Sequence, residues 1–358
     1  MPAPTASRND FADYLKGALI FLVACGHLIQ YVGYQGTDGY YFDPLFKVIY
    51  TFHMPLFMAV SGYLSLRAIT RTGLFHCASR RARQVIVPAI CWALLYLIVK
   101  LAILIVIAGT VTDGWHAFRL SLVSFRPTFW FLWAVFAATV VVSALRQFRL
   151  DRLEFFAVVG TVFLFAPEGA CIYLIKYTFP FFCLGYALAK GDQIRLPAAQ
   201  SPFLVAAIFA ACVGCYLLWT KDAYVYTTRM WPAPANLPNI ALRYVAGVVV
   251  SAMFMVLLFW IYRRAKSPLL SNWGRRSLDI YIIHLFLVEI AAAFIHLPVI
   301  GSPWFSWLGA PMLAGILCLV GYWTGGLLGG IPVLRALLLG RVSDPPFSAQ
   351  PAFAGNKT

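Results

Sequence analysis

The sequence predicts an all-α, polytopic transmembrane helical bundle of about ten spans with both termini cytoplasmic, and three observations carry that expectation. Of 358 residues, 61% are hydrophobic and only 11% charged, against roughly half and a quarter in soluble domains. The apolar residues gather into runs of about 20, the length a helix needs to cross some 30 Å of hydrocarbon. Lys and Arg are abundant in every second connection and sparse in the others, as the cationic excess of cytoplasmic loops requires.

Met1–Asp10 is polar, and the run at 13–32 is read as a retained first span because no soluble segment follows it directly. Further runs lie at 44–66, 85–108 and 127–145. The run at 153–167 is short, and Pro167 and Gly169 join it tightly to 171–189, so this pair is either two spans or one broken, re-entrant helix. Runs at 203–219, 239–262, 277–297 and 309–331 complete the set. Residues 1–341 thus form one membrane domain, and 342–358, with Pro345, Pro346 and Pro351, is predicted to be a short disordered cytoplasmic tail.

With the N-terminus inside, 19 of the 28 Lys and Arg residues fall in inner segments and four in outer ones. The other five, Lys16, Lys47, Lys100, Lys176 and Arg243, lie in spans or at their edges. The formal net charge of +15 therefore reads as anchoring to membrane lipids and argues against a nucleic acid partner. Eight cysteines, including Cys212 and Cys215 in a C-x-x-C, lie mostly in apolar runs, which favours buried inert thiols over disulfide or metal chemistry.

Ionisable groups inside spans are costly and mark candidate sites. Lys16 and His27 are eleven residues apart; at 100° per residue they differ by about 20° from whole turns and by about 16 Å in height. One helical stripe would then carry Lys16 at the cytoplasmic mouth and His27 near mid-membrane. The competing reading makes Lys16 a snorkelling anchor and His27 an interhelical hydrogen-bonding residue. His53, in Phe52-His53-Met54-Pro55, lies at a similar depth on the second span, where Pro55 frees a backbone carbonyl and opens room. The two histidines could meet there, or His53 could simply satisfy groups freed by the proline. Ser61 follows two turns later. Arg80 and Arg83 are three apart and would share a helical face suited to phosphate oxygens, or else form an ordinary positive-inside cluster. Tyr281 and His284, also three apart, would both face the bundle, and Trp130 sits where an aromatic belt is expected but where a ring could also stack on a sugar.

Taken together, Asp13-Tyr14-Leu15-Lys16-Gly17 leading to Gly26-His27, Phe52-His53-Met54-Pro55-Leu56-Phe57 with Ser61-Gly62-Tyr63, Arg80-x-x-Arg83, Trp130-Phe131-Leu132 and the segment ending in Tyr281 and His284 resemble the acyltransferase 3 family of integral-membrane O-acyltransferases. The resemblance covers most of the chain and is nearest to the fucose 4-O-acetylase and exopolysaccharide (xanthan-type) acetyltransferase branch. Lys16 stands where such proteins often have Arg, which keeps the charge and loses the bidentate fork.

The resemblance implies a multi-pass enzyme of the bacterial inner membrane that moves an acetyl group from acetyl-CoA to a carbohydrate hydroxyl, on a polymer or a lipid-linked precursor, with no metal. It implies cofactor binding by Lys16, Arg80 and Arg83, catalysis by His27 and His53, and substrate contacts from Ser61, Trp130, Tyr281 and His284. His27 would be the general base, since imidazole titrates near neutral pH, or would form a transient acyl-histidine; His53 would orient it or stabilise the oxyanion. Some members carry a fused extracytoplasmic hydrolase-like domain; with none in this sequence, the membrane domain is expected to complete the transfer itself or with a separate protein. The rival readings are a transporter or flippase for a glycan-related solute, which would show interrupted helices at matching positions in two halves, and a non-catalytic subunit of a polysaccharide assembly complex.

Overall fold

The computed structural model describes residues 9–35, 37–108, 129–169, 171–191, 201–294 and 301–341; the predicted tail at 342–358 lies outside them. The order is α1 (Asp10–Leu28), α2 (Pro44–Arg71), α3 (Leu74–Arg81), α4 (Val87–Ala108), α5 (Trp130–Gln147), α6 (Leu153–Leu164), α7 (Ile172–Lys190), α8 (Pro202–Leu218), the one-turn α9 (Val225–Thr228), α10 (Leu237–Arg264), α11 (Pro268–Arg275), α12 (Ser277–Phe294), α13 (Ala310–Gly329) and α14 (Pro332–Leu339). No strand occurs among the described residues. Among the described residues, seven helical stretches are long and apolar enough to cross a membrane, and α6, α8 and α12 supply shorter apolar ones. The chain is thus the expected all-α polytopic bundle, and each predicted run coincides with a helix. The short fifth run becomes a separate helix of 12 residues, about 18 Å long, that packs on α7.

Helix α1 is largely enclosed, packed against α2, α11, α12 and α13. Asn9 starts it by accepting from Ala12 N at 3.0 Å. Asp43 starts α2 by accepting from Phe46 N at 2.9 Å, and Ser306 Oγ donates to the same carboxylate at 2.6 Å, which ties the start of α2 to the chain entering α13. Pro55 lies within α2, which stays helical throughout.

Helices α2 and α7 make the most extensive pairing in the bundle, and its closeness depends on two glycines. A Cβ at Gly62 would stand 2.0 Å from the carbonyl oxygen of Phe182, and one at Gly185 would stand 1.8 Å from that of Ala59. Small residues permit such backbone approach, which supplies dispersion contacts where lipid offers no hydrophobic drive. Gly185→Ala must push the helices apart. We expect it to cost about 1–3 kcal/mol, read as a lowered thermal midpoint of the detergent-solubilised protein; an unchanged midpoint would contradict the close crossing.

Among the described residues, three π-helical turns interrupt the α-geometry, at Ile29–Gly33, Ala82–Ile86 and Phe305–Gly309. The first begins two residues after His27 and the second contains Arg83, so both lie at or beside residues singled out by sequence. Such turns insert a residue into the hydrogen-bond ladder and shift the phase of the helix beyond them.

Candidate functional site

Three cavities succeed one another through the bundle, each sharing wall residues with the next. Where α2 ends, a cavity of about 510 Å³ is lined by Ser65, Arg67, Arg71, Arg80, Arg81 and Thr139. Leu64 and Arg81 also border a second cavity of about 210 Å³, which holds Lys16, Ser61, Phe57 and Phe131. Val23, Met54 and Tyr281 form the wall between this and a third of about 410 Å³, lined by His27, His53, Trp130 and the phenols of Tyr31, Tyr40, Tyr50, Tyr173 and Tyr226. Guanidinium groups thus occupy one end, apolar side chains the middle, and imidazoles with tyrosines the other end.

The hydrogen bonds of the histidines fix their tautomers. His284 Nδ1 lies 2.9 Å from the carbonyl oxygen of Ile280; a carbonyl only accepts, so this nitrogen carries the proton and Nε2 of the neutral ring is an acceptor. His27 Nδ1 lies 3.1 Å from that Nε2 and must be the donor. The lone pair of His27 is left on Nε2. The two rings lie nearly parallel, 12° apart, at a centroid distance of 5.3 Å, so the contact also fixes the plane of His27. His53 Nδ1 donates to Ile49 O at 2.7 Å, which leaves its Nε2 as an acceptor too.

The residue touching His27 is therefore His284, not His53, which shares the cavity and packs on Tyr50. A neutral His53 in this tautomer offers no proton to an oxyanion, and its backbone bond explains why: position 49, one turn back, captures Nδ1. Lys16 stands 2.9 Å from Asp13 and lines the middle cavity, as does Ser61, whose hydroxyl donates to Phe57 O at 2.8 Å. Ser61 is eight residues from His53 along α2, about 12 Å away, and lies on the far side of the wall from the imidazoles. Trp130 lines the imidazole cavity, whereas His284 is fully buried, lines none of the three cavities and meets the site only through His27.

Arg80 lines the arginine cavity, but Arg83 is exposed and lines none of the three. The π-turn at Ala82–Ile86 breaks the three-residue phase that would align them. Arg81 points inward instead, donating to Ser65 Oγ at 2.6 Å and Thr139 Oγ1 at 3.3 Å. In sequence Arg81 reads only as charge topology. A signal was present: Cys77, Arg81 and Val85 recur every four residues, and Cys77 and Val85 are both buried.

Tyr281 borders both the middle and the imidazole cavities, and its ring centroid lies 5.8 Å from that of Phe131.

A family model described as an acyltransferase domain matches residues 9–326, a stretch that holds all three cavities. The chain belongs to the acyltransferase 3 family. It is 32% identical over 292 residues to the nodulation protein NolL of Mesorhizobium japonicum, covering 80% of this chain and 77% of that protein. Identity to the NolL of Sinorhizobium fredii is 34% over 287 residues, covering 79% and 77%. No solved structure matches. The family resemblance read from the motifs is borne out, and this is a membrane-embedded acyltransferase.

Proposed function

We propose that this acyltransferase moves an acetyl group from acetyl-CoA to a sugar hydroxyl of a bacterial exopolysaccharide or its lipid-linked precursor, in the inner membrane and with both of its termini cytoplasmic. The observation that carries the reading is the row of three cavities with a bare imidazole nitrogen at one end and guanidinium groups at the other. CoA phosphates suit Arg80, Arg81 and the neighbouring arginines, because guanidinium forks match phosphate oxygens. The pantetheine arm suits the apolar middle past Lys16, which brings the thioester to Tyr281. The sugar suits the third cavity, whose aromatic walls carry no lysine, arginine or carboxylate among the described lining residues. The family assignment favours this enzyme over a transporter or a non-catalytic subunit.

In the reaction, His27 Nε2 takes the proton of the sugar hydroxyl as its oxygen attacks the thioester carbonyl. The imidazolium that forms keeps its Nδ1–H on His284 Nε2, so part of its charge is shared with the second ring. Tyr281 O–H donates to the carbonyl oxygen as it becomes an oxyanion. Collapse breaks the C–S bond, and His27 returns its proton to the leaving thiolate, giving the O-acetyl ester and free CoA. His53 Nε2 accepts from another hydroxyl of the sugar and orients it. An acyl-histidine path would use the same nitrogen as nucleophile.

Labelled acetyl-CoA supplied to the purified protein in proteoliposomes with a candidate glycan should yield labelled, base-labile ester on the glycan. Label released only as free acetate, or none transferred, would sink the proposal. In the same assay Arg81→Ala should raise the donor KM by about tenfold or more, the loss of one charge-assisted pair. Arg83→Ala should leave the donor KM near the wild-type value. Equal effects of the two would show that the inward turn of Arg81 is irrelevant to the donor.

A further inference from the structure

Arg243, in the second turn of α10, is fully buried, and the acyl-transfer chemistry above makes no use of it. Its guanidinium is spent on the backbone of the connection before α10. Nε donates to Ala223 O at 2.7 Å. Nη2 donates to Asp222 O at 2.9 Å and Tyr224 O at 3.1 Å, and also to Thr228 Oγ1. Nη1 donates to Arg229 O and reaches Met230 Sδ at 3.4 Å. A helix satisfies its own carbonyls, but an irregular segment buried in a membrane protein needs outside donors. Arg is the one side chain with five in a fixed fork.

One face of the segment so held is buried: Ala223 and Met230 are 0% exposed and Tyr224 is 2% exposed, while Asp222, Tyr226 and Arg229 are exposed. Arg229 has φ +49°, a region non-glycine residues rarely occupy. It is pinned on both sides, its carbonyl by Arg243 and the next N–H by Glu168 Oε1 at 2.7 Å. Strain of this kind persists only where the surroundings impose it, and it gathers at functional segments. The segment carries Tyr226 into the wall of the imidazole cavity. A small cavity of about 20 Å³ is bordered at once by His53, Ala223, Tyr226 and Arg243, which places the guanidinium directly behind that wall.

We infer that Arg243 is a positioning residue that latches the segment Thr220–Met230 as a lid over the acceptor side of the site, presenting Tyr226 to the incoming sugar. The inference rests on the acetyl-transfer reading. It assigns acceptor recognition, and not donor binding or proton transfer, to a charge about two helical turns into α10. A lysine keeps the charge but cannot span four backbone carbonyls.

Two measurements test this on the whole protein in proteoliposomes. Ala223→Cys puts a thiol on the buried face of the lid, and its labelling by a membrane-impermeant maleimide should be slow over the background of the parent. Adding Arg243→Lys should speed that labelling at least fivefold. In transfer assays, Arg243→Lys should raise the acceptor KM about tenfold and leave the donor KM unchanged. Unchanged labelling overturns the latch, and faster labelling with an unmoved acceptor KM overturns its role in acceptor recognition. Glu168→Ala, which removes the acceptor of the Met230 N–H, should give the same split in KM and decides the matter where Arg243→Lys does not yield folded protein. A wild-type protein that transfers nothing marks failure of the acetyl-transfer reading instead, and transfer with all constants unmoved marks failure of the lid.

Discussion

His27→Ala is expected to lower kcat for acetyl transfer by about 10²–10⁴-fold, the usual contribution of a general acid–base group. Donor KM should change little, because the arginines that would hold CoA stand in another cavity. Single-turnover transfer in proteoliposomes measures this without interference from product release. His284→Ala should be milder, about tenfold or more, since it frees the His27 ring to rotate and to adopt the other tautomer. The double variant should be no slower than His27→Ala alone. A residue that acts only through His27 has nothing left to support once His27 is gone. Additive losses would instead place His284 on the substrate, the role its sequence position implied. Full activity of His27→Ala would remove the imidazole from the mechanism.

The legible part of this molecule is what depends on local sequence. Spans are visible because about 20 apolar residues in a row have few other fates, and Lys16 and His27 lie on one helix, where spacing fixes their relation. The structure keeps both on cavity walls, Lys16 in the middle chamber and His27 at the imidazole end. Pairing across the bundle was hidden. His27 and His284 are 257 residues apart, and no periodicity connects α1 to α12, so sequence offers only His53, nearer along the chain, as a residue that could meet His27. The exchange of Arg83 for Arg81 has a different cause, since a π-turn has no sequence signature comparable to a proline or a cap. Arg243 reads as a cation at the edge of a span because its acceptors are backbone carbonyls of a loop, which any sequence would supply. Likewise, the contact of Gly62 and Gly185 needs the crossing of α2 and α7 before either glycine means more than flexibility.

Tyr281→Phe is expected to lower kcat by about 10²–10³-fold, the cost of deleting one oxyanion donor in a dry site. The phenyl ring keeps its packing against Phe131, whose centroid is 5.8 Å away, so the walls of both neighbouring cavities persist and both KM values should hold. A lining residue that merely touches substrate behaves in the opposite way, raising KM with kcat preserved; that result would return Tyr281 to the substrate-binding role the sequence implied. One side effect needs separating from the chemistry. Phenylalanine also removes a buried hydroxyl, and a buried polar group left without a partner costs about 1–3 kcal/mol of stability. That loss appears as a lower thermal midpoint and acts on every step alike by reducing the folded fraction. A fall in kcat per folded molecule, with the midpoint measured on the same sample, is therefore the signature of a hydroxyl that meets charge developing on the thioester carbonyl.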